Sequence, residues 1–132
     1  MSAVMGAIEL EALEALLNRR SIDASELEAL LAARAAGEID FTLIDTREKY
    51  EHLHHWIDGD DLVLHTNGFY PKVKKLKDKE RAYILYCSNG ARSAMNAQVM
   101  RELGYKRALN LAKGIESCGG KMIKKRDDAL SP

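Results

Sequence analysis

Tyr83-Ile84-Leu85-Tyr86-Cys87-Ser88-Asn89-Gly90-Ala91-Arg92-Ser93 is the stretch from which the rest of the chain is best read. An apolar run ends in a cysteine, a short polar loop with one glycine follows, and a helical pattern begins at Arg92. A thiol placed there lies at the mouth of a loop that opens a helix. Loop N–H groups and the positive helix end favour its thiolate, and the same geometry binds anions.

Outward from this stretch, apolar runs alternate with helical patterns. Upstream, residues 41–45 form a short apolar run ending in Asp45-Thr46-Arg47, residues 48–54 a short helix, Gly59 a turn, and residues 62–64 a second strand. Residues 66–68 are loop. Residues 69–76 form a short helix with Lys72, Lys74 and Lys75 on its wet side, and residues 77–80 a charged connection. Downstream, residues 92–103 are helical, with Ala94, Ala97, Val99, Met100 and Leu103 facing inward and Gly104 as the stop. Residues 108–111 make a last strand, and residues 114–117 begin a turn or helix. The N-terminal side reads as a helix over 4–19 with Val4, Ile8, Leu13, Leu16 and Leu17 as its apolar stripe, then a short extended piece over 20–22. A second helix starts at Asp23, with Glu26 three residues on as a capping box, and stops at Gly37.

This alternation predicts a three-layer α/β fold with a parallel sheet, and ligands in such sheets bind beyond the carboxyl ends of the strands. Two strand ends carry chemistry: Asp45 with Arg47, and Cys87 through Arg92. One domain is expected for 132 residues: an N-terminal helical extension over 1–20, the α/β domain over 21–118, and a basic, mobile tail over 119–132.

Twenty basic side chains balance twenty acidic ones, so no global field argues for nucleic acid or a membrane. Glu9, Glu11 and Glu14 interrupt the first apolar segment, which does not suit a secretory signal. Two cysteines without C-x-x-C spacing suit neither a zinc knuckle nor a thioredoxin motif; a Cys87–Cys118 disulfide is open, and a reduced, cytoplasmic setting fits better. His52, His54 and His55 lack a repeated metal-ligand spacing and read as a polar helix face beside Trp56; no metal or cofactor is expected.

The ordered set Leu43-Ile44-Asp45-Thr46-Arg47-Glu48, Ile57-Asp58-Gly59, Tyr86-Cys87-Ser88-Asn89-Gly90-Ala91-Arg92-Ser93, Glu102-Leu103-Gly104-Tyr105, Asn110-Leu111 and Gly114-Ile115 resembles the rhodanese-like, or sulfurtransferase, family over about residues 22–115. The resemblance implies a five-stranded parallel sheet flanked by helices. It also implies a chemistry in which Cys87 takes up a sulfane sulfur as a persulfide and passes it on. The donor would be thiosulfate, polysulfide or a protein persulfide, and the acceptor a thiol or cyanide. This chain departs from the family at His55-Trp56, where Gly-His is usual, at Asp58, where proline is usual, and at Cys118, where tryptophan is frequent.

In this reading Cys87 is the nucleophile. Ser88, Asn89, Gly90, Ala91, Arg92 and Ser93 form the cradle, with Gly90 turning N–H groups inward. Arg92 is expected to brace Asp45 first and to attract anionic donors second. Ser93 is expected to cap or bond locally. Asp45 and Arg47 are supporting residues, Arg47 pairing with Glu48 or Glu51. Cys118 is expected to fill space, and Lys113 either lends charge at the rim or is solvated. Two functions are carried forward: a sulfurtransferase enzyme, and a relay module that takes persulfide from one protein to another without turnover. A phosphatase or arsenate reductase is the third; its loop has five residues between cysteine and arginine, whereas Cys87 and Arg92 enclose four.

Overall fold

The structure, a computed structural model, describes residues 3–126, with side chains from Glu9 onward. In chain order the elements are α1 (Ala3–Leu16), β1 (Ser21–Ile22), α2 (Ala24–Ala35), β2 (Thr42–Asp45), α3 (Lys49–His54), β3 (His55–Ile57), β4 (Leu62–Val63), α4 (Phe69–Val73), β5 (Ala82–Tyr86), α5 (Ala91–Glu102), β6 (Arg107–Leu111) and β7 (Ile123–Lys125), with single 3-10 turns at Ile115–Ser117 and Gly120–Met122.

β5 is buried at all five positions, as its unbroken apolar run requires of a central parallel strand. Around it the main sheet runs β1-β6-β5-β2-β4, every neighbouring pair parallel. Side chains alternate across the pleat. Ala82, Ile84 and Tyr86 join a core layer with Leu27 and Leu30 of α2, against which Leu13 and Leu16 of α1 also pack. Tyr83 and Leu85 join the opposite layer with Phe69 and Val73 of α4 and Ala97 and Met100 of α5. The result is the expected three-layer arrangement around a five-stranded parallel sheet, with α1 added and laid on its own domain.

Local signals account for the boundaries. Asp23 Oδ1 accepts from Glu26 N–H at 2.8 Å while Glu26 Oε1 accepts from Asp23 N–H at 2.9 Å, a reciprocal cap contributing about 1 kcal/mol. The first helix ends at Leu16 rather than 19, and Leu17, just beyond it, is the fully buried member of its stripe. The expected contributions of the Val4 and Ile8 side chains lie outside the described residues. In α5 the inward positions are Ser93, Asn96, Ala97 and Met100, whereas Ala94 is exposed, contrary to the apolar pattern. Polar side chains take these places because they meet polar partners, Ser93 at Asn110 of β6 and Asn96 at Thr66 in the loop after β4.

Residues 119–125 do not behave as the mobile tail expected of them. β7 pairs antiparallel with β3, Ile57 opposite Ile123. Asp58 N–H donates to Met122 O at 2.8 Å, and Met122 is buried in the α1–α2 core layer. Three residues with two exposed lysines carry no readable strand period, so neither β3 nor β7 is visible in the sequence. Residues 127–132 lie outside the described part.

Candidate active site

Parallel register brings the two polar strand ends together. Asp45 of β2 stands opposite Tyr86 of β5, and Thr46 N–H donates to Tyr86 O at 2.9 Å. Cys87 therefore leaves β5 at the carboxyl edge of the sheet, beside Asp45 and Thr46. The backbone then turns through Gly90 at φ +94°, and α5 begins at Ala91. A Cβ on Gly90 would sit 2.1 Å from Ala112 O, so no other residue fits this turn without displacing the β6 end. Gly114, at φ +65°, is equally constrained: a Cβ there would lie 2.3 Å from Ser88 O. This close approach lets Ile115 N–H and Glu116 N–H bond to the Cys87 and Ser88 carbonyls at 2.9 and 3.1 Å, clamping the loop from behind.

The Cys87 sulfur is enclosed, fully buried under the loop. Its Sγ accepts from Gly90 N–H at 3.1 Å, Ser93 N–H at 3.4 Å and the Ser93 hydroxyl at 3.3 Å. Burial alone pushes the thiol pKa up. The Ser93 hydroxyl and the N–H groups of Ser93, Gly90 and Asn89 outweigh it, and the net shift is downward. A lowered thiol pKa favours the thiolate, which is the nucleophilic form of a cysteine. Asn89 also folds the loop, its Oδ1 accepting from Ala91 N–H at 3.1 Å, and Ala91 is exposed at the helix start.

Arg92 does not brace Asp45. Its two terminal nitrogens fork onto Glu51 of α3, Nη1 to Oε2 at 2.8 Å and Nη2 to Oε1 at 3.0 Å, while Nη2 also donates to Ser88 Oγ at 3.2 Å. The Arg92 guanidinium, together with Glu48 N–H at 2.8 Å, overcomes the penalty of burial and holds the Glu51 carboxyl down at about 2. Arg47, in turn, does not pair with Glu48 or Glu51. It is buried and clasps Asp45, Nε to Oδ1 at 3.0 Å and Nη2 to Oδ2 at 2.9 Å, with a further bond to His55 O at 2.6 Å. The carboxylate two residues back saturates Arg47 before α3 begins, which leaves Glu51 to Arg92.

Asp45 also meets His52, whose Nδ1 lies 2.9 Å from Oδ2 and 3.5 Å from Asp60 Oδ2. Asp60 accepts from the Tyr86 hydroxyl at 2.7 Å, and Tyr86 accepts from Ile57 N–H at 3.2 Å. Burial raises the Asp60 carboxyl to about 6. Burial and the Asp45 and Asp60 carboxylates keep Tyr86 a neutral phenol. Asp45, His52 and Asp60 offer ligand atoms within 4.8 Å of one another, but both Asp45 oxygens already accept from Arg47, and the group serves as a polar brace under the loop. Asp60 is the participant that the sequence does not single out; Glu51 is expected there as a partner of Arg47 rather than Arg92, His52 as part of a polar helix face and Tyr86 as the end of the strand, none of them with these contacts.

Residues 23–120 match the rhodanese-like domain family. The chain belongs to the rhodanese-like domain family. Among solved structures, a rhodanese-like domain from Anabaena sp. aligns at 17% identity and TM-score 0.70, over 86% of this chain and 85% of that one. A rhodanese-like domain protein from Staphylococcus aureus aligns at 20% identity and TM-score 0.65, over 81% and 98%. A Rhodopseudomonas palustris protein described as of unknown function and a possible tyrosine phosphatase aligns at 19% identity and TM-score 0.59, over 93% and 92%. No curated protein matches the chain.

In this rhodanese-like domain the loop cysteine stands where sulfur-carrying chemistry needs it, at the strand-to-helix turn. Cys118 packs half-buried against the α1–α2 core layer, and burial pushes its thiol up to about 11. Both cysteines are free. Lys113 is exposed. His54 and His55 contact each other edge-on, while His52 stacks on Trp56 with ring centroids 5.6 Å apart. Among the described residues no helix is long and apolar enough to cross a membrane.

Proposed function

We propose that this domain is a sulfurtransferase in which Cys87 carries a sulfane sulfur as a persulfide. The Cys87 thiolate attacks the outer sulfur of the donor. A sulfur–sulfur bond forms at Cys87, and the bond to the donor's leaving group breaks, releasing sulfite from thiosulfate or a thiolate from a persulfide. An acceptor, a thiol or cyanide, then attacks the terminal sulfur, and Cys87 leaves as thiolate. The observation that carries this reading is the donor set around Sγ, two N–H groups and a hydroxyl on one enclosed sulfur. Their dipoles stabilise negative charge without a metal. A donor approaches through the cavity of about 320 Å³ that abuts the loop at Ser88 and is lined by Arg47, Tyr50, Glu51, His54 and His55.

The relay reading has its own support. Arg92, the cradle's cation, is tied to Glu51 and Ser88, which weakens the pull on a free anion and suits sulfur delivered by another protein. Phosphoryl chemistry is disfavoured because four residues separate Cys87 from Arg92 and the guanidinium is engaged. Two free thiols suit a reducing compartment such as the cytoplasm. Turnover of thiosulfate with cyanide tests the enzyme reading. Fast turnover abolished in Cys87→Ser supports it; no turnover, with persulfide gained from a persulfide-bearing desulfurase, supports the relay. Failure to gain sulfur from either source would discard both.

A further inference from the structure

The cavity beside Ser88 is lined by Arg47, and Arg92 bonds to two of its lining residues, Glu51 and Ser88; each guanidinium is engaged by a carboxylate. Arg47 is buried in its fork on Asp45. Arg92 is forked on Glu51, and the same carboxylate lies 3.3 Å from the Ser88 hydroxyl, which donates to it. Glu51 thus receives four donors, from Glu48 N–H, both Arg92 terminal nitrogens and Ser88, and stays ionised at every physiological pH. Burial and the Arg47 charge lower the His55 pKa. Lys125, the register partner of His55, is exposed on β7.

Donors differ in the charge they bring to such a mouth. Thiosulfate is a dianion, and its transfer to a thiolate gathers three negative charges around one loop before sulfite departs as a dianion. An alkyl persulfide in its R–S–SH form brings none, and the leaving group is a monoanionic thiolate: Cys87–S⁻ plus R–S–SH gives Cys87–S–SH plus R–S⁻. The Gly90 and Ser93 N–H groups already point at Sγ, and Arg47 and Arg92 are each engaged by a carboxylate, so these groups offer a dianion little uncompensated positive charge. Its wall suits an organic body instead. Tyr50 is 74% exposed and lines the cavity, and Leu53, three residues on along α3, is 49% exposed on the same helix face.

We propose that Glu51 is a specificity-determining residue that cancels Arg92 and directs the Cys87 site to thiol-borne persulfide sulfur rather than to free thiosulfate. This rests on the sulfurtransferase reading above. The test measures the second-order rate of Cys87 persulfidation by intact mass, with 2-hydroxyethyl persulfide, whose body is uncharged, and with thiosulfate as the two probes. Glu51→Gln keeps the shape and frees the Arg92 charge. It should raise the thiosulfate-to-persulfide rate ratio by about tenfold at low salt, whatever loss the two donors share. Glu51→Asp keeps the charge, and its ratio should stay within about threefold of the parent's. The unmodified chain supplies a second measurement: its thiosulfate rate should not fall as salt is added, whereas the Glu51→Gln rate should. A ratio that Glu51→Gln leaves unchanged, an Asp variant that shifts as far as the Gln variant, or a parent rate that drops steeply with salt would overturn the assignment. Equal persulfidation by both donors with no response to Glu51→Gln removes this inference alone. No persulfide from either donor removes the sulfurtransferase reading with it.

Discussion

The Ser93 hydroxyl stands 3.3 Å from Cys87 Sγ and 2.5 Å from Asn110 Oδ1, so its single proton is shared between a sulfur and an amide. With the thiol protonated, the proton goes to Asn110. With the thiolate formed, it turns to sulfur, and the Asn110 amide can flip to donate in its place. Ser93 therefore responds to the charge on Cys87. Ser93→Ala should raise the Cys87 pKa and slow alkylation and persulfidation near neutral pH. The thiolate's ultraviolet absorbance, followed against pH, reads the shift, and an unmoved titration would remove Ser93 from the site.

Gly90 fixes the loop in a conformation no side chain accepts. Gly90→Ala places a Cβ 2.1 Å from the Ala112 carbonyl at φ +94°, and should cost at least about 2 kcal/mol. Thermal unfolding should show a Tm lower by about 5–10 °C, with persulfidation lost beyond the loss of folded protein.

We propose that the Asp45–Arg47 pair acts as a brace rather than a substrate contact. Both side chains are essentially unexposed. Asp45→Asn leaves a buried guanidinium without its counter-charge and should cost about 3–5 kcal/mol. Urea unfolding measures it. A loss of activity without a loss of stability would reassign Asp45 to the chemistry.

Asp60 makes stability depend on pH in the direction opposite to most carboxylates. Its folded-state value of about 6 lies above the ordinary 3.8, so the folded chain holds this proton more tightly than the unfolded one. The stabilisation is full below about pH 4 and is lost as pH rises through about 6. Asp60→Asn, neutral throughout, should gain about 1–3 kcal/mol on the parent between pH 4 and pH 7. Parallel stability curves for the two proteins would contradict the shift.

What was legible in the sequence is what has a periodic or backbone cause. The unbroken apolar run of Ala82 to Tyr86 marked the central strand, the Asp23–Glu26 spacing marked a helix start, and Gly90 marked the loop, and all three stand in the structure. Ion-pair partners were not legible. Arg92 was assigned to Asp45 because the two strand ends are neighbours. That carboxylate is instead filled by Arg47, two residues away, and the choice between Asp45 and Glu51 depends on the angle of α3 over the loop. β3 and β7 escaped notice because three residues show no period, and the pairing of Ile57 with Ile123 joins segments far apart in sequence. Ala94 points outward because Ser93 and Asn96 turn inward, Ser93 to Asn110 of β6 and Asn96 to Thr66 in the loop after β4.

The central claim is that Cys87 carries sulfur, and intact mass tests it most directly. After incubation with thiosulfate, polysulfide and glutathione persulfide in turn, the wild-type chain should gain one sulfur atom from at least one donor. That atom should vanish on reduction and be absent in Cys87→Ser while Cys118 is still present. A wild-type chain left unmodified by all three donors, or a Cys87→Ser variant that gains the same sulfur, would contradict the account.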